Sequence, residues 1–410
     1  MPYRNRIACA VCLAALSVAT AMAFAATELP PPTGPYAVGR TLAYAKDDDR
    51  PEIWTEDPAD RREIVLFIWY PVDLGSKEPL ASYLPYPDDR IRGPLVYQRA
   101  RGRVLITHTR ADIPVAKGAE KFPLLFFSGG SGAIPAMYHS IIEDLVSHGY
   151  VVVGLDHLYE GAGQIMADGR LITPIVDGLT PPRDPESPEV HKVYREFYYR
   201  RVNERVLDGT LALRMLKMMN RHREGRFYDR LDFDRMGFYG HSLGGNTAAH
   251  ALTDFPELKA AVNIDGFADG MPFNDRHTPM KPFMCIETAP PDYTDEEFAR
   301  RNMTRERYEA IERAFDERMA AIYNQNPTVA YRVSISKADH LSFSDSPYLA
   351  PEKDGLTLVD HVRTTNIARQ YLLAFFDEAL RGRPSPLLRS VPEDLRGFVR
   401  AEAFGGAVQE

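Results

Sequence analysis

The strongest constraint on the fold is an alternation of short apolar runs with longer stretches of helical periodicity between residues 63 and 380. The runs have the length and composition of buried strands, and the longer stretches repeat apolar residues at helical spacing. Strands alternating with helices predict a mostly parallel central sheet flanked by helices. The predicted strands are 63–70, 103–108, 122–128, 150–156, 235–239, 258–265, 282–287 and 329–336, and the predicted helices are 135–148, 190–220, 243–253 and 357–380.

The composition is that of a folded protein and opposes binding to nucleic acid. The chain has 410 residues, of which 44% are hydrophobic, and a formal net charge of −8. It contains no run of Lys or Arg longer than two residues, whereas a nucleic-acid-binding surface needs clustered positive charge. The length allows one large α/β unit or two to three smaller domains. We expect a single domain over residues 26–410.

The first 25 residues have the pattern of an export signal. Arg4 and Arg6 precede the apolar stretch 7–19, and Ala23 and Ala25 suit a cleavage site. A transmembrane anchor is the alternative, but the apolar stretch is short and is interrupted by hydroxyl side chains. We therefore expect cleavage after residue 25 and a secreted or periplasmic mature chain.

A serine flanked by glycines is the most specific chemical signal. Residues 240–245 read Gly-His-Ser-Leu-Gly-Gly and lie between an apolar strand and a helix. A sharp strand-to-helix turn exposes the serine on strained backbone, and glycines are needed where neighbouring backbone comes close. We predict Ser242 as a nucleophile. The N–H of Leu243 is then one donor to the negative oxygen that develops on a substrate carbonyl.

A serine nucleophile requires a base and a carboxylate elsewhere in the chain. His340 follows the last of the predicted strands and is the candidate base. Asp265 ends the strand after the nucleophile helix and is the favoured acid, with Glu287 and Asp292 after the next strand as alternatives. The resulting order of serine, acid and histidine is the one expected of α/β-hydrolases.

A glycine-rich loop after strand 122–128 is the candidate source of a second oxyanion donor. Residues 128–132 read Ser-Gly-Gly-Ser-Gly, and Gly130 or Ser131 would supply the N–H group. A phosphate-binding loop is the alternative, but the lysine of a P-loop and the glycine spacing of a dinucleotide site are missing. No set of His, Cys, Asp and Glu has metal-ligand spacing, so the sequence predicts neither a metal nor a cofactor.

Two insertions interrupt the alternation of strands and helices. The first, at about 158–189, is rich in Gly and Pro. The second, at about 290–326, starts with a predicted capping box of Thr294 and Glu297 and continues with a helical apolar stripe. Both insertions are candidates for a lid or cap over the site. The alternative for the stripe is simple packing on the main body.

Together these motifs resemble the platelet-activating-factor acetylhydrolase family of α/β-hydrolases and the related bacterial dienelactone-hydrolase-like esterases. The resemblance spans roughly residues 60–380 and includes Phe-Ile-Trp-Tyr-Pro at 67–71, Phe-Ser-Gly-Gly-Ser-Gly-Ala at 127–133, His-Gly-Tyr-Val-Val at 148–152, and the segments around Ser242, Asp265 and His340. It implies an α/β-hydrolase fold, Asp265 as the acid, Leu243 and Ser131 as oxyanion donors, and hydrolysis independent of calcium.

The sequence also departs from this family near the expected pocket. Gly129 stands where many relatives carry a histidine, and Gly-Phe follows Asp265 where the animal enzymes have Ala-Trp. The resemblance therefore extends to the catalytic machinery more than to the substrate.

From the resemblance and the motifs we expect an exported serine carboxylic-ester hydrolase that forms an acyl-enzyme. Its expected substrates are short-acyl esters or (phospho)lipid esters, which permits transient contact with a lipid interface. The alternatives are a polyesterase or serine peptidase on the same scaffold and a non-catalytic, ligand-binding homologue. We expect neither a nucleic-acid partner nor an obligate protein partner.

Overall fold

The computed structural model describes residues 26–84, 104–118, 120–182, 187–266, 277–349 and 355–408. The predicted export signal, residues 1–25, lies outside these ranges. The strands are β1 (Ala26–Glu28), β2 (Ala37–Pro51), β3 (Arg61–Val72), β4 (Val104–Ile106), β5 (Thr109–Ala111), β6 (Phe122–Ser128), β7 (Val151–His157), β8 (Gln164–Ile165), β9 (Leu171–Ile172), β10 (Leu231–His241), β11 (Ala260–Ile264), β12 (Phe283–Thr288), β13 (Ala330–Ile335) and β14 (Val399–Phe404). The helices are α1 (His139–Ser147), α2 (Val176–Leu179), α3 (Pro188–Arg221), α4 (Leu243–Asp254), α5 (Asp295–Arg300), α6 (Arg305–Tyr323), α7 (Ser346–Leu349) and α8 (Leu358–Arg381).

A ten-stranded sheet with the order β14-β13-β12-β11-β10-β6-β7-β3-β2-β5 organises the fold. The strands from β7 through β6, β10, β11 and β12 to β13 are parallel, and antiparallel pairs occur between β3 and β7, β2 and β3, and β13 and β14. Every residue of β6 and of β7 is buried, as expected for parallel strands covered on both faces. The predicted mostly parallel sheet is confirmed.

Helices cover both faces of this sheet and form two apolar cores. On one face, α1 and α8 pack through residues such as Ile142, Leu145 and Tyr371. On the other face, α3 and α4 pack through residues such as Leu213 and Leu252. Because helices cover both faces, the carboxyl ends of the parallel strands form the accessible edge of the sheet. The serine turn, Asp265, His340 and the glycine-rich loop all lie at this edge. Among the described residues, no helix is both long and apolar enough to cross a bilayer.

Three strands of the sheet, β2, β5 and β14, were not predicted, and all three lie outside the parallel core. Strand β2 is long, but its second half carries the charged and largely exposed residues 46–50. Strand β14 forms one edge of the sheet and has no continuous apolar run. Strands that are solvated on one side lack the apolar signature by which the central strands were recognised.

The two insertions are partly built into the body of the protein. The first begins with buried residues, among them Leu158, Glu160 and Met166, and contains the β8–β9 hairpin. The second contains α5, which begins with the predicted capping box, and α6. The apolar stripe of α6 is buried at Met319 but is 48% exposed at Ile311, so the carboxyl-terminal half of this helix packs on the main body.

Candidate active site

Ser242 occupies the tight turn between β10 and α4. Its backbone has a φ of 57° and a ψ of −122°, a left-handed conformation that is strained for a residue with a side chain. The Ser242 N–H donates to the carbonyl of Ile264 at 2.8 Å, which anchors the turn to β11. Any side chain on Gly240 or Gly244 would collide with neighbouring backbone, so the two glycines permit this close packing. The turn therefore holds the serine at the carboxyl edge of the sheet.

Asp265 and His340 form a direct hydrogen-bonded pair beside this turn. His340 Nδ1 lies 2.6 Å from Asp265 Oδ2, and Asp265 Oδ1 accepts from the N–H of Thr288 at 2.9 Å and from its hydroxyl at 3.1 Å. Burial by itself would raise the pKa of Asp265, but the hydrogen bond and charge of His340 and the N–H of Thr288 more than offset it, so this pKa lies below its ordinary value. An ionised Asp265 fixes the proton on His340 Nδ1 and leaves Nε2 as the nitrogen able to accept a proton.

The two alternative acids are engaged elsewhere. Glu287 accepts from Arg332 Nε at 2.6 Å and from the hydroxyl of Ser334 at 2.8 Å. The Asp292 side chain is 96% exposed and lies 3.6 Å from Arg305. Of the three predicted carboxylates, Asp265 is the one that contacts the candidate base.

His241, the residue before the serine, lies against the candidate base. Its ring centroid is 4.5 Å from that of His340, and its Nε2 lies 2.8 Å from the His340 carbonyl oxygen. On its other side, His241 Nδ1 lies 3.0 Å from the hydroxyl of Tyr138. Burial, together with the neighbouring His340, lowers the pKa of His241 to about 3, so the ring is neutral at ordinary pH.

The glycine-rich loop approaches the serine from β6. A Cβ built on Gly130 would lie 3.3 Å from that of Ser242. The Gly130 N–H already donates to the Tyr138 hydroxyl at 3.0 Å, which favours Ser131 over Gly130 as a donor to a substrate oxygen. Leu243 begins α4, and the first N–H groups of a helix have no acceptor within the helix.

Sequence reasoning missed three buried charges that hold the glycine-rich loop. Arg201 Nη2 donates to the Ser131 hydroxyl at 2.9 Å, and Arg205 Nη1 donates to the Gly129 carbonyl at 2.7 Å. The Nε atoms of both arginines donate to Glu160 Oε2, at 2.9 and 3.1 Å. Although burial would raise the pKa of Glu160, the two guanidinium groups keep it below its ordinary value. The only signal in the sequence was two arginines four residues apart, which places them on one face of α3.

The same edge also contains the one group of potential metal ligands found among the described residues. Atoms of His241, Asp265 and His340 lie within 4.8 Å of one another. Both nitrogens of His241 and Nδ1 of His340 are already engaged in the hydrogen bonds given above. The arrangement is therefore accounted for by proton-sharing contacts within the protein, and we assign no metal to it.

A largely parallel sheet with a serine turn after a central strand, and a histidine after the last parallel strand, defines the α/β-hydrolase class. A comparison with solved structures agrees with this fold. The ferulic acid esterase from Streptomyces cinnamoneus matches with a TM-score of 0.63 and 26% sequence identity, covering 90% of this chain and 98% of the esterase. The predicted fold class is confirmed.

Sequence comparison gives the particular family that the chain resembles. The family model described as platelet-activating factor acetylhydrolase, isoform II, matches residues 21–173. The platelet-activating factor acetylhydrolases of Canis lupus familiaris and Gallus gallus are 27% and 23% identical over 38% and 58% of this chain. A probable 1-alkyl-2-acetylglycerophosphocholine esterase of Arthroderma benhamiae is 22% identical over 65% of it. The predicted resemblance is confirmed, although the alignments span only 37%, 60% and 65% of these relatives' own lengths.

Proposed function

We propose that the protein is a serine carboxylic-ester hydrolase. The observation that carries this proposal is the 2.6 Å contact between His340 Nδ1 and Asp265 beside the strained Ser242 turn. His340 Nε2 takes the proton of the Ser242 hydroxyl as the serine oxygen attacks the ester carbonyl. The N–H groups of Leu243 and Ser131 donate to the oxyanion that this attack forms. Collapse of this intermediate expels the alcohol with the proton from His340 and leaves an acyl-enzyme, which a water activated by His340 then hydrolyses.

Asp265 supports both chemical steps without taking the proton itself. Its carboxylate keeps the imidazole in the tautomer that needs no rearrangement, and it stabilises the imidazolium that forms during attack. The two hydrogen bonds from Thr288 hold the other carboxylate oxygen, so the orientation of the acid is set by β12.

The relatives support ester substrates but differ in the ester that their names describe. The acetylhydrolases and the glycerophosphocholine esterase are named for acetylated lipids, whereas the structural match is named for a ferulic acid ester. We therefore propose short-acyl esters, including lipid esters, as the substrate class. Export is proposed from the sequence of residues 1–25 alone.

The proposed activity is tested on p-nitrophenyl esters of increasing acyl length. We expect hydrolysis by the wild-type protein and a loss of several orders of magnitude in kcat, up to about a millionfold, in Ser242→Ala. Tyr371→Phe is the control, because its buried hydroxyl has no hydrogen-bond partner among the described residues, and its kcat should stay within about twofold of wild type. A loss below tenfold in Ser242→Ala would contradict the proposal.

Amide and polyester substrates separate the proposal from its alternatives. The ester-hydrolase proposal predicts that kcat/KM is higher for a short-acyl ester than for the matched anilide or a polyester film. A preference for the anilide would favour a serine peptidase, and a preference for the film would favour a polyesterase. Failure to cleave any of the three would favour a non-catalytic homologue.

A further inference from the structure

A chain of hydrogen bonds joins the glycine-rich loop to the candidate base through two buried side chains. The Gly130 N–H donates to the Tyr138 hydroxyl at 3.0 Å, and this hydroxyl lies 3.0 Å from His241 Nδ1. At the other end, His241 Nε2 lies 2.8 Å from the carbonyl oxygen of His340. Both connecting side chains, Tyr138 and His241, are 2% exposed. Neither is placed to touch a substrate.

The partners fix the position of every proton in this chain. The His340 carbonyl can only accept, so His241 Nε2 must carry hydrogen. The neutral His241 ring then accepts at Nδ1, and the Tyr138 hydroxyl donates to it while accepting from Gly130. Burial raises the pKa of Tyr138 and lowers that of His241, so neither side chain changes its protonation state at ordinary pH.

A second connection, between the start of α1 and the segment after His340, does not involve His241. The Asp345 carboxylate accepts from the N–H groups of His139 and Ser140 at 2.7 and 3.0 Å, and the Asp345 N–H donates to the Met137 carbonyl at 2.8 Å. Asp345 lies five residues after His340 and directly precedes α7. Because this connection fastens the start of α1 to the segment after the base, removal of the His241 connection alone should leave the fold in place.

We propose that His241 is a positioning residue that, through Tyr138, sets the distance between the oxyanion loop and the backbone of His340. This inference rests on the proposed function, since it assigns a role in the same active site. His241 thus holds the backbone of His340 at its carbonyl oxygen, and Asp265 orients the imidazole ring of His340. Misplacement of reacting groups by about 1 Å can lower a rate by about 100-fold, which sets the upper range of the expected effect.

Steady-state kinetics on a short-acyl ester test the proposal with matched variants. His241→Phe keeps a ring of similar size but makes neither hydrogen bond, and we expect kcat to fall by about 10- to 100-fold with KM within about threefold. His241→Gln places an amide N–H near the former Nε2, and we expect it to restore at least half of the lost kcat on a logarithmic scale. Tyr239→Phe is the control for Tyr138→Phe, because the buried Tyr239 hydroxyl has no hydrogen-bond partner within the described part of the chain. The kcat of Tyr239→Phe should stay within about twofold of the wild-type value.

The double variant asks whether the two side chains act as one connection. If they do, Tyr138→Phe combined with His241→Phe should lower kcat no further than the more damaging single variant, whereas independent effects would multiply. Multiplied effects, a wild-type kcat in His241→Phe, or a raised KM at unchanged kcat would each overturn the proposal. Thermal unfolding of each variant identifies any loss that arises from unfolding, and such a variant is compared below its Tm.

Nitrogen-15 NMR of the imidazole rings tests the same connection without turnover. We expect His241 to show a neutral ring protonated at Nε2 throughout pH 5 to 8, and Tyr138→Phe to shift its Nδ1 resonance. Titration of His241 within this range, or protonation at Nδ1, would overturn the proposed connection. If the wild-type protein hydrolyses no ester but shows this NMR pattern, the proposed function fails while the geometry of the connection stands.

Discussion

Replacement of Asp156 by Asn should stabilise the protein, and the gain should depend on pH. Asp156 lies near the end of β7, is 2% exposed, and has one carboxylate oxygen that finds no hydrogen-bond partner among the residues that the structure describes. Burial raises its pKa to about 7, because desolvation outweighs the favourable charges of Arg205 and Arg62. An aspartate in an unfolded chain has a pKa of about 3.9. The carboxyl group is therefore harder to ionise in the folded protein.

The sign and size of the effect follow from this difference in pKa. Below pH 4 the acid is neutral in both states, so Asp and Asn should be about equally stable. Between pH 4 and pH 7 the unfolded chain releases the proton while the folded protein retains it, so the stability of the wild type falls. Three pKa units correspond to about 4 kcal/mol, at 1.36 kcal/mol for each unit. Above pH 7 the difference should stay constant.

Urea unfolding followed by far-ultraviolet circular dichroism at each pH unit from 4 to 8 measures this difference. We expect Asp156→Asn to unfold at the same urea concentration as wild type at pH 4 and to be more stable by up to about 4 kcal/mol at pH 8. Asp48→Asn is the control, since the Asp48 side chain is 82% exposed, and its stability should stay within about 0.5 kcal/mol of wild type. A constant difference between Asp156→Asn and wild type across the series, or a wild type that is more stable than Asp156→Asn at pH 8, would contradict the assigned effect of burial on Asp156.

Three further substitutions test the elements around the site. Glu160→Gln leaves Arg201 and Arg205 buried without their shared carboxylate, so urea unfolding should show a loss of about 3–5 kcal/mol and ester hydrolysis should slow; wild-type stability would contradict the assigned ion pairs. Gly244→Ala introduces a Cβ that collides with a backbone carbonyl, and we expect a Tm at least several degrees lower, an unchanged Tm being the contrary result. Asp265→Asn should lower kcat by up to about 10⁴-fold with little change in Tm, and a loss below tenfold would argue against its role as the acid.

The central strands could be predicted from the sequence because burial on both faces imposes a continuous apolar run. The predicted strand 122–128 coincides with β6, and those at 282–287 and 329–336 differ from β12 and β13 by one residue at each end. Strands β2 and β14 lie away from this doubly covered core, and their mixture of charged and apolar residues also fits loops. Strand β14 joins the sheet through β13, which is distant in sequence, and β2 joins it through the neighbouring β3, so neither placement depends on an apolar run of the strand itself.

The site could be predicted as far as its motifs are local. The glycine spacing predicts Ser242 as the nucleophile, and the order of strands predicts that Asp265 and His340 lie at the same edge of the sheet. The choice of Asp265 over Glu287 as the acid depends on which carboxylate contacts His340. That contact joins residues 75 positions apart in the sequence, whereas Glu287 contacts Arg332. The support given by Glu160 and Tyr138 could not be predicted, because it joins segments that carry no shared motif.

Mass spectrometry of the protein after reaction with a fluorophosphonate measures most directly whether Ser242 is an activated nucleophile. We expect one adduct per chain, located on the peptide that contains Ser242, no adduct in Ser242→Ala, and labelling at least 100-fold slower in His340→Gln. An adduct on another residue, or undiminished labelling in Ser242→Ala, would contradict the proposed active site.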